Sequence, residues 1–198
     1  MKSLDIIHAE HRALGAVLQA FRFVLDGIRD GRFEPDFQLL SAMIEYITQV
    51  PDKLHHPKED DHLFPLVREH IPAAAPMLDK LEAEHRDGAQ RTLELQSALI
   101  HYQSSGAAAF PGFEALARRY LEASWQHVNH EETELLPLAR RELTEQDWSG
   151  IDAAFTANGD PWAGPAGEFQ ALFSRIVNMV PPPYGVGGAG TGSAGNPR

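Results

Sequence analysis

Two stretches of this chain carry histidine and glutamate at matching spacing. His11 lies in Ala9-Glu10-His11-Arg12, and 44 residues later come His55-His56-Pro57-Lys58-Glu59 and then Leu63-Phe64-Pro65. His85 lies in Ala83-Glu84-His85-Arg86, and 42 residues later come His127-Val128-Asn129-His130-Glu131 and then Leu135-Leu136-Pro137. Each half offers a lone histidine followed by a His-x-x-x-Glu pair. Four residues advance an α-helix by about 400°, so each pair shares one helix face. Four imidazoles and two carboxylates suit two adjacent first-row metal ions, with iron, manganese and zinc all compatible. Paired glutamates can also bridge two cations and offset part of their charge.

Other four-residue pairs compete, notably His56 with Asp60 and His130 with Glu134. The Leu-x-Pro anchors decide between registers. Superposing them requires an offset of 72, which maps His55 onto His127 and Glu59 onto Glu131. The same offset leaves His56 opposite Val128 and His62 opposite Glu134, without metal-type counterparts. His8 lies three residues before His11, on nearly the same face. It is a fifth ligand, an outer hydrogen-bond donor or a solvent-facing residue. His70 and His101 sit near helix ends and are expected to be exposed. Tyr120, two turns before His127, is read as a core tyrosine within reach of the site.

The residues must be positioned by helices. Leu4, Ile7, His11, Leu14, Leu18, Phe21 and Leu25 recur at helical steps over 4–29, with Ser3 as N-cap and Gly31 at the exit. A second helix is predicted over about 37–70. Its prolines, Pro51, Pro57 and Pro65, predict bent or broken segments. A third spans about 74–104, with Leu78, Leu81, His85, Leu93 and Leu99 inward, and a fourth about 111–142. No stretch alternates like a strand. The expected fold is all-α, an up-down four-helix bundle over 1–143. One or two further helices over 144–180 are expected to pack on it. Residues 181–198, rich in Pro, Gly, Ser and Ala, read as a flexible tail.

Composition narrows the chemistry. The 198 residues include no cysteine, so thiolate nucleophiles, disulfides and cysteine-held metals are excluded. Ten histidines are present, many at helical spacing from acids. A formal net charge of −11 argues against nucleic acid and against an anionic membrane surface. No apolar run is long enough to span a bilayer, and the N-terminus has no signal-peptide pattern. The expected location is the cytoplasm.

The pattern His…His-x-x-x-Glu…His…His-x-x-x-Glu, with Leu-Phe-Pro after the first glutamate, resembles the hemerythrin-like (HHE cation-binding) domain over about residues 4–142. The resemblance implies a non-haem di-iron centre with oxo or hydroxo bridges. Its ligands would be His11, His55, Glu59, His85, His127 and Glu131, with Glu59 and Glu131 bridging. Two departures matter. Oxygen-carrying members place a fifth histidine four residues after the third-helix ligand, where this chain has Ala89. They also end on an aspartate five residues after its histidine, whereas Glu131 follows His127 by four. The set looks more like di-iron proteins of nitric oxide stress and iron–sulfur cluster repair. The resemblance therefore implies binding or sensing of oxygen or nitric oxide, with iron storage or donation as the alternative. An oxidase or peroxidase ranks last, because no separate acid–base pair and no organic-cofactor fingerprint is present.

Overall fold

The computed structural model describes residues 1–157 and 166–187. All regular elements among them are helical. Helix α1 (Lys2–Arg29) ends at Gly31, whose φ of 68° suits glycine. Asp36 then caps α2 (Phe37–Val50) by accepting hydrogen bonds from the amides of Gln38 and Leu39. Helical residues continue to His70 without a break, but not as one uniform α-helix. A π-helical turn (Pro51–His55) leads into α3 (His56–Lys58), a second π turn (Glu59–Leu63) follows, and α4 (Phe64–His70) completes the run.

Helix α5 (Ala75–Ser105) ends at Gly106, whose φ is 73°. Helix α6 (Phe110–His130) is joined by a π turn (Glu131–Leu135) to α7 (Leu136–Glu142). The prolines expected to bend these helices are thus absorbed by widened turns. Phe64 and Leu136 donate their amides five residues back, to the carbonyls of Glu59 and Glu131. Pro65 and Pro137, one position further on, have no amide to give.

Helix α1 packs on α2, α2 on α5, α5 on α6, and α6 back on α1. The core inside this ring is divided. Leu14, Leu18, Phe21, Leu40, Met43, Ile47, Phe113 and Leu121 belong to one apolar cluster. Ile7, Leu63, Phe64, Leu78, Leu81 and Leu135 belong to the other. The histidines and glutamates of the repeat occupy the layer between them. One expected inward residue faces out: Leu93 is 58% exposed, while Thr92, Leu95 and Leu99 are buried. Seven residues make two helical turns, so the face holding His85 returns at Thr92 and not at Leu93.

Helix α8 (Glu145–Ala157) lies against α1 and the Glu59–Leu63 turn, adding Trp148, Ile151 and Phe155 to the second cluster. Helix α9 (Ala166–Met179) lies against α2. Of the span read as a tail, residues 181–187 turn back. The amides of Val186 and Gly187 donate to the carbonyls of Val177 and Val180, and Tyr184 meets Phe23 at 5.2 Å between ring centroids. Residues 188–198 lie outside the described residues.

Ser3 is not the N-cap. It lies inside α1, and the cap comes from α8. Asp152 accepts from the amides of Lys2 and Ser3 (3.1 and 2.8 Å) and from the Ser3 hydroxyl (2.6 Å). Asp152→Ala is expected to cost about 1–2 kcal/mol, as other lost caps do. In a chain of this size each kcal/mol lowers Tm by roughly 2–4 °C. A melt followed by circular dichroism reads this, and an unchanged Tm would mean that packing alone holds the start of α1.

Candidate metal centre

The structure brings His11, His55, Glu59, His85, His127 and Glu131 together between the two apolar clusters. Glu59 and Glu131 have no exposed surface, and His11, His55 and His85 are also buried. Each imidazole turns Nδ1 outward to a carboxylate. His11 donates to Glu132 (2.7 Å), His55 to Glu10 (2.9 Å), His85 to Asp60 (2.8 Å) and His127 to Glu84 (2.8 Å). An ionised carboxylate can only accept, so each Nδ1 carries the hydrogen and each Nε2 turns its lone pair inward.

The inward nitrogens come in pairs. His11 Nε2 is 2.8 Å from His55 Nε2, and His85 Nε2 is 3.0 Å from His127 Nε2. Two lone pairs at that distance need a proton or a cation between them. Two nitrogens held about 2.1 Å from one metal ion at a right angle lie about 3 Å apart. Glu131 faces both pairs, with Oε2 at 3.2 Å from His11 Nε2 and Oε1 at 3.0 Å from His127 Nε2. Glu59 Oε2 is 3.4 Å from His55 Nε2 and 3.8 Å from His85 Nε2. None of the four oxygens of Glu59 and Glu131 makes a hydrogen bond. Buried carboxylates that face only imidazole nitrogens need positive charge beside them, so the donor set fits cations bound between these residues.

The charges respond accordingly. Burial alone would raise Glu131, but the surrounding imidazoles hold it well below the usual carboxylate range. Burial and the charge of Glu131 push Glu59 up. Burial would lower His85, yet Asp60 and Glu131 outweigh it and raise the ring to about 9. His11, His55 and His127 are raised for the same kind of reason. Without metal, protons do part of a cation's work.

The four outer carboxylates recur with the repeat, although nothing local marks them as partners of the histidines. Glu10 and Glu84 precede the lone histidines in the two Ala-Glu-His-Arg segments, and Asp60 and Glu132 follow the two glutamates. Each reaches across to a histidine on another helix. His8 does not face the centre; its Nδ1 donates to Glu132 at 2.9 Å, behind His11. Tyr120 points its hydroxyl to the Ile47 carbonyl at 2.9 Å. His70 and His101 are exposed. His56, which the repeat leaves opposite Val128, lies beside the centre. Its ring stacks on His85 at 3.8 Å between centroids, and one nitrogen of each of His56, His85 and His127 lies within 4.8 Å of the others.

The two halves differ behind their histidines. Glu10 also pairs with Lys58, and both are 3% exposed, whereas Glu84 is half-buried beside the exposed Lys80. Glu10→Ala should destabilise the metal-free fold by about 3–5 kcal/mol, because it strands a buried ammonium. Glu84→Ala should cost within about 1 kcal/mol. Urea denaturation separates the two, and chelator competition should show metal affinity falling roughly 10–100-fold in both.

Raised imidazoles hold protons at neutral pH in the metal-free protein, so incoming metal must displace them. Metal affinity is expected to climb with pH through about 9, the value for His85, and to keep climbing until the more strongly raised His55 has lost its proton. Proton release on metal addition, read by calorimetry in buffers of different ionisation enthalpy, checks this. Uptake without proton release would contradict it.

No curated protein and no solved structure gives a match. The family model described as the hemerythrin HHE cation-binding domain matches residues 2–139, most of the chain. Together with a buried histidine–glutamate cluster able to hold metal, that match places the chain in the hemerythrin HHE cation-binding domain family.

Proposed function

We propose that the four long helical runs form an up-down bundle holding two iron ions, and that this pair binds or senses oxygen or nitric oxide. His11 and His55 would hold one ion, His85 and His127 the other, with Glu59 and Glu131 spanning both. The observation that carries this is the pairing of four inward Nε2 atoms around four carboxylate oxygens that make no hydrogen bond. A ferrous pair bound there supplies electrons and an exchangeable coordination position to a diatomic ligand.

The surroundings support a small ligand. A cavity of about 50 Å³ lies beside the donors, lined among others by His55, His56, His85, His127, Asp52 and Tyr120. That is room for a diatomic molecule or a few waters, far below the roughly 300 Å³ at which organic-ligand pockets begin. Tyr120 forms part of the wall. Burial raises its phenol to about 12, so it stays protonated and keeps its hydrogen bond to Ile47. The enclosed donors, each braced by a carboxylate, favour a retained centre over labile iron for storage or donation.

The test is reconstitution with ferrous iron under argon, followed by addition of nitric oxide or oxygen. Two irons per chain and a new charge-transfer band with at least one gas are expected. No new band with either gas would overturn the diatomic reading. Rapid loss of both irons to a weak chelator would favour iron donation instead.

A further inference from the structure

We propose that small molecules reach the cavity beside the donors through a gap at Gly88, with Asp52 on one side and the Arg91 side chain across it, so that Gly88 sets the size of ligand the site admits. This rests on the small-ligand reading of the cavity and assigns its entrance.

The cavity reaches the inward-facing pair His85 and His127. Of the residues that line it, Asp52 alone is exposed, while Gly88 and Arg91 are half-buried. The cavity meets solvent at that corner. A second hollow, between α1 and α6, touches His11 but also Glu132, which accepts from the outward Nδ1 of His11. That hollow stops at an outer carboxylate and does not lead to the inward nitrogens.

Gly88 lacks the usual reasons for a glycine. It lies inside the 31-residue helix α5, where glycine is the poorest residue after proline. Among the described glycines only Gly31 and Gly106 have a positive φ, so the backbone at Gly88 does not demand one. Packing does not demand one either. A Cβ on Gly15 would lie 3.0 Å from Trp125, and a Cβ on Gly27 would overlap the Phe33 ring, so those two glycines let a neighbour approach. A Cβ on Gly88 would meet only Asp52 Oδ1, at 3.8 Å, an ordinary contact. Gly112 and Gly150 also meet nothing, but they are exposed, whereas Gly88 lines the cavity. What the absent side chain leaves is space in the cavity wall.

Arg91 stands one helical turn further along α5. Its Nε donates to the Asp87 carbonyl at 3.4 Å and its Nη2 to the Glu84 carbonyl at 3.2 Å. To reach Glu84, seven residues back, the side chain runs along α5 past Gly88. No carboxylate among the described residues pairs with Arg91. Two long hydrogen bonds to carbonyls that already serve the helix hold it weakly, so the guanidinium can swing out into water at small cost. The gap is thus narrow, covered by a movable side chain, and suited to molecules of two or three heavy atoms.

The test uses the full chain loaded with Co²⁺ and mixed with azide, and loaded with ferrous iron and mixed with nitric oxide, each followed by stopped-flow absorbance. Gly88→Leu should slow binding about 10-fold or more at wild-type metal content. Arg91→Ala should speed it. An entrance is crossed in both directions, so Arg91→Ala should raise the association and dissociation rates by the same factor and leave Kd unchanged. A changed Kd with one rate fixed would make Arg91 a contact of the bound ligand and overturn its role as a cover. Metal-free Gly88→Ala should melt no lower than wild type, because its Cβ fits. A lower Tm would show that packing requires the glycine and would overturn its assignment. Unchanged rates in Gly88→Leu and Arg91→Ala would overturn the entrance and leave the small-ligand reading standing. No complex with either probe in wild type would overturn both.

Discussion

Glu59 and Glu131 sit at the middle of an apolar helical core, and none of their four oxygens accepts a hydrogen bond. Each buried carboxylate would cost several kcal/mol if left uncompensated. Positive charge has to reach them, either as protons on the facing imidazoles or as bound cations. Much of the architecture follows from that constraint. The four helical runs bring an Nε2 lone pair from each quarter, and the outer carboxylates fix each ring so that the lone pair points in. The apolar core is split into two clusters because the layer between them is given over to this chemistry.

The repeat in the sequence becomes an approximate two-fold relation in space, with one clear departure. Applying the offset of 72 to Lys58 gives His130. Lys58 is buried, pairs with Glu10 behind His55, and lies 5.9 Å from the Phe155 ring. His130 has no such role and meets the exposed Glu134. Phe155 belongs to α8, beyond residue 139 where the family match ends. The segment after the family domain therefore covers the buried ammonium that neutralises Glu10, an outer carboxylate of the site. The same helix caps α1 through Asp152, so α8 is tied to the helix that carries His11 at its end as well as along its side.

Much of this was legible in the sequence, for a specific reason. A charged layer in a helical core needs polar residues where leucine would otherwise stand, and the spacing of His11, His55, Glu59, His85, His127 and Glu131 records that substitution twice. What stayed hidden depends on contacts between helices. Glu10 and Asp60 look like ordinary surface acids until Glu10 meets His55 and Asp60 meets His85. Asp152 caps a helix some 150 residues earlier in the chain, which no local pattern encodes.

The prolines explain why the His-x-x-x-Glu segments work although they are not plain α-helix. In both halves a π turn begins at the glutamate, and its first carbonyl accepts from the residue five positions on. Proline follows directly, at Pro65 and Pro137. A residue without an amide cannot close the ordinary bond four positions back, so the widened turn gives up less hydrogen bonding there than it would elsewhere. The leucine that ends each π turn, Leu63 or Leu135, is fully buried in the second apolar cluster. Apolar packing at one end of the turn thus holds the glutamate at the other end in the charged layer. The Leu-x-Pro segment that fixed the register of the repeat is therefore part of the device that positions the carboxylate, which is why it recurs with it.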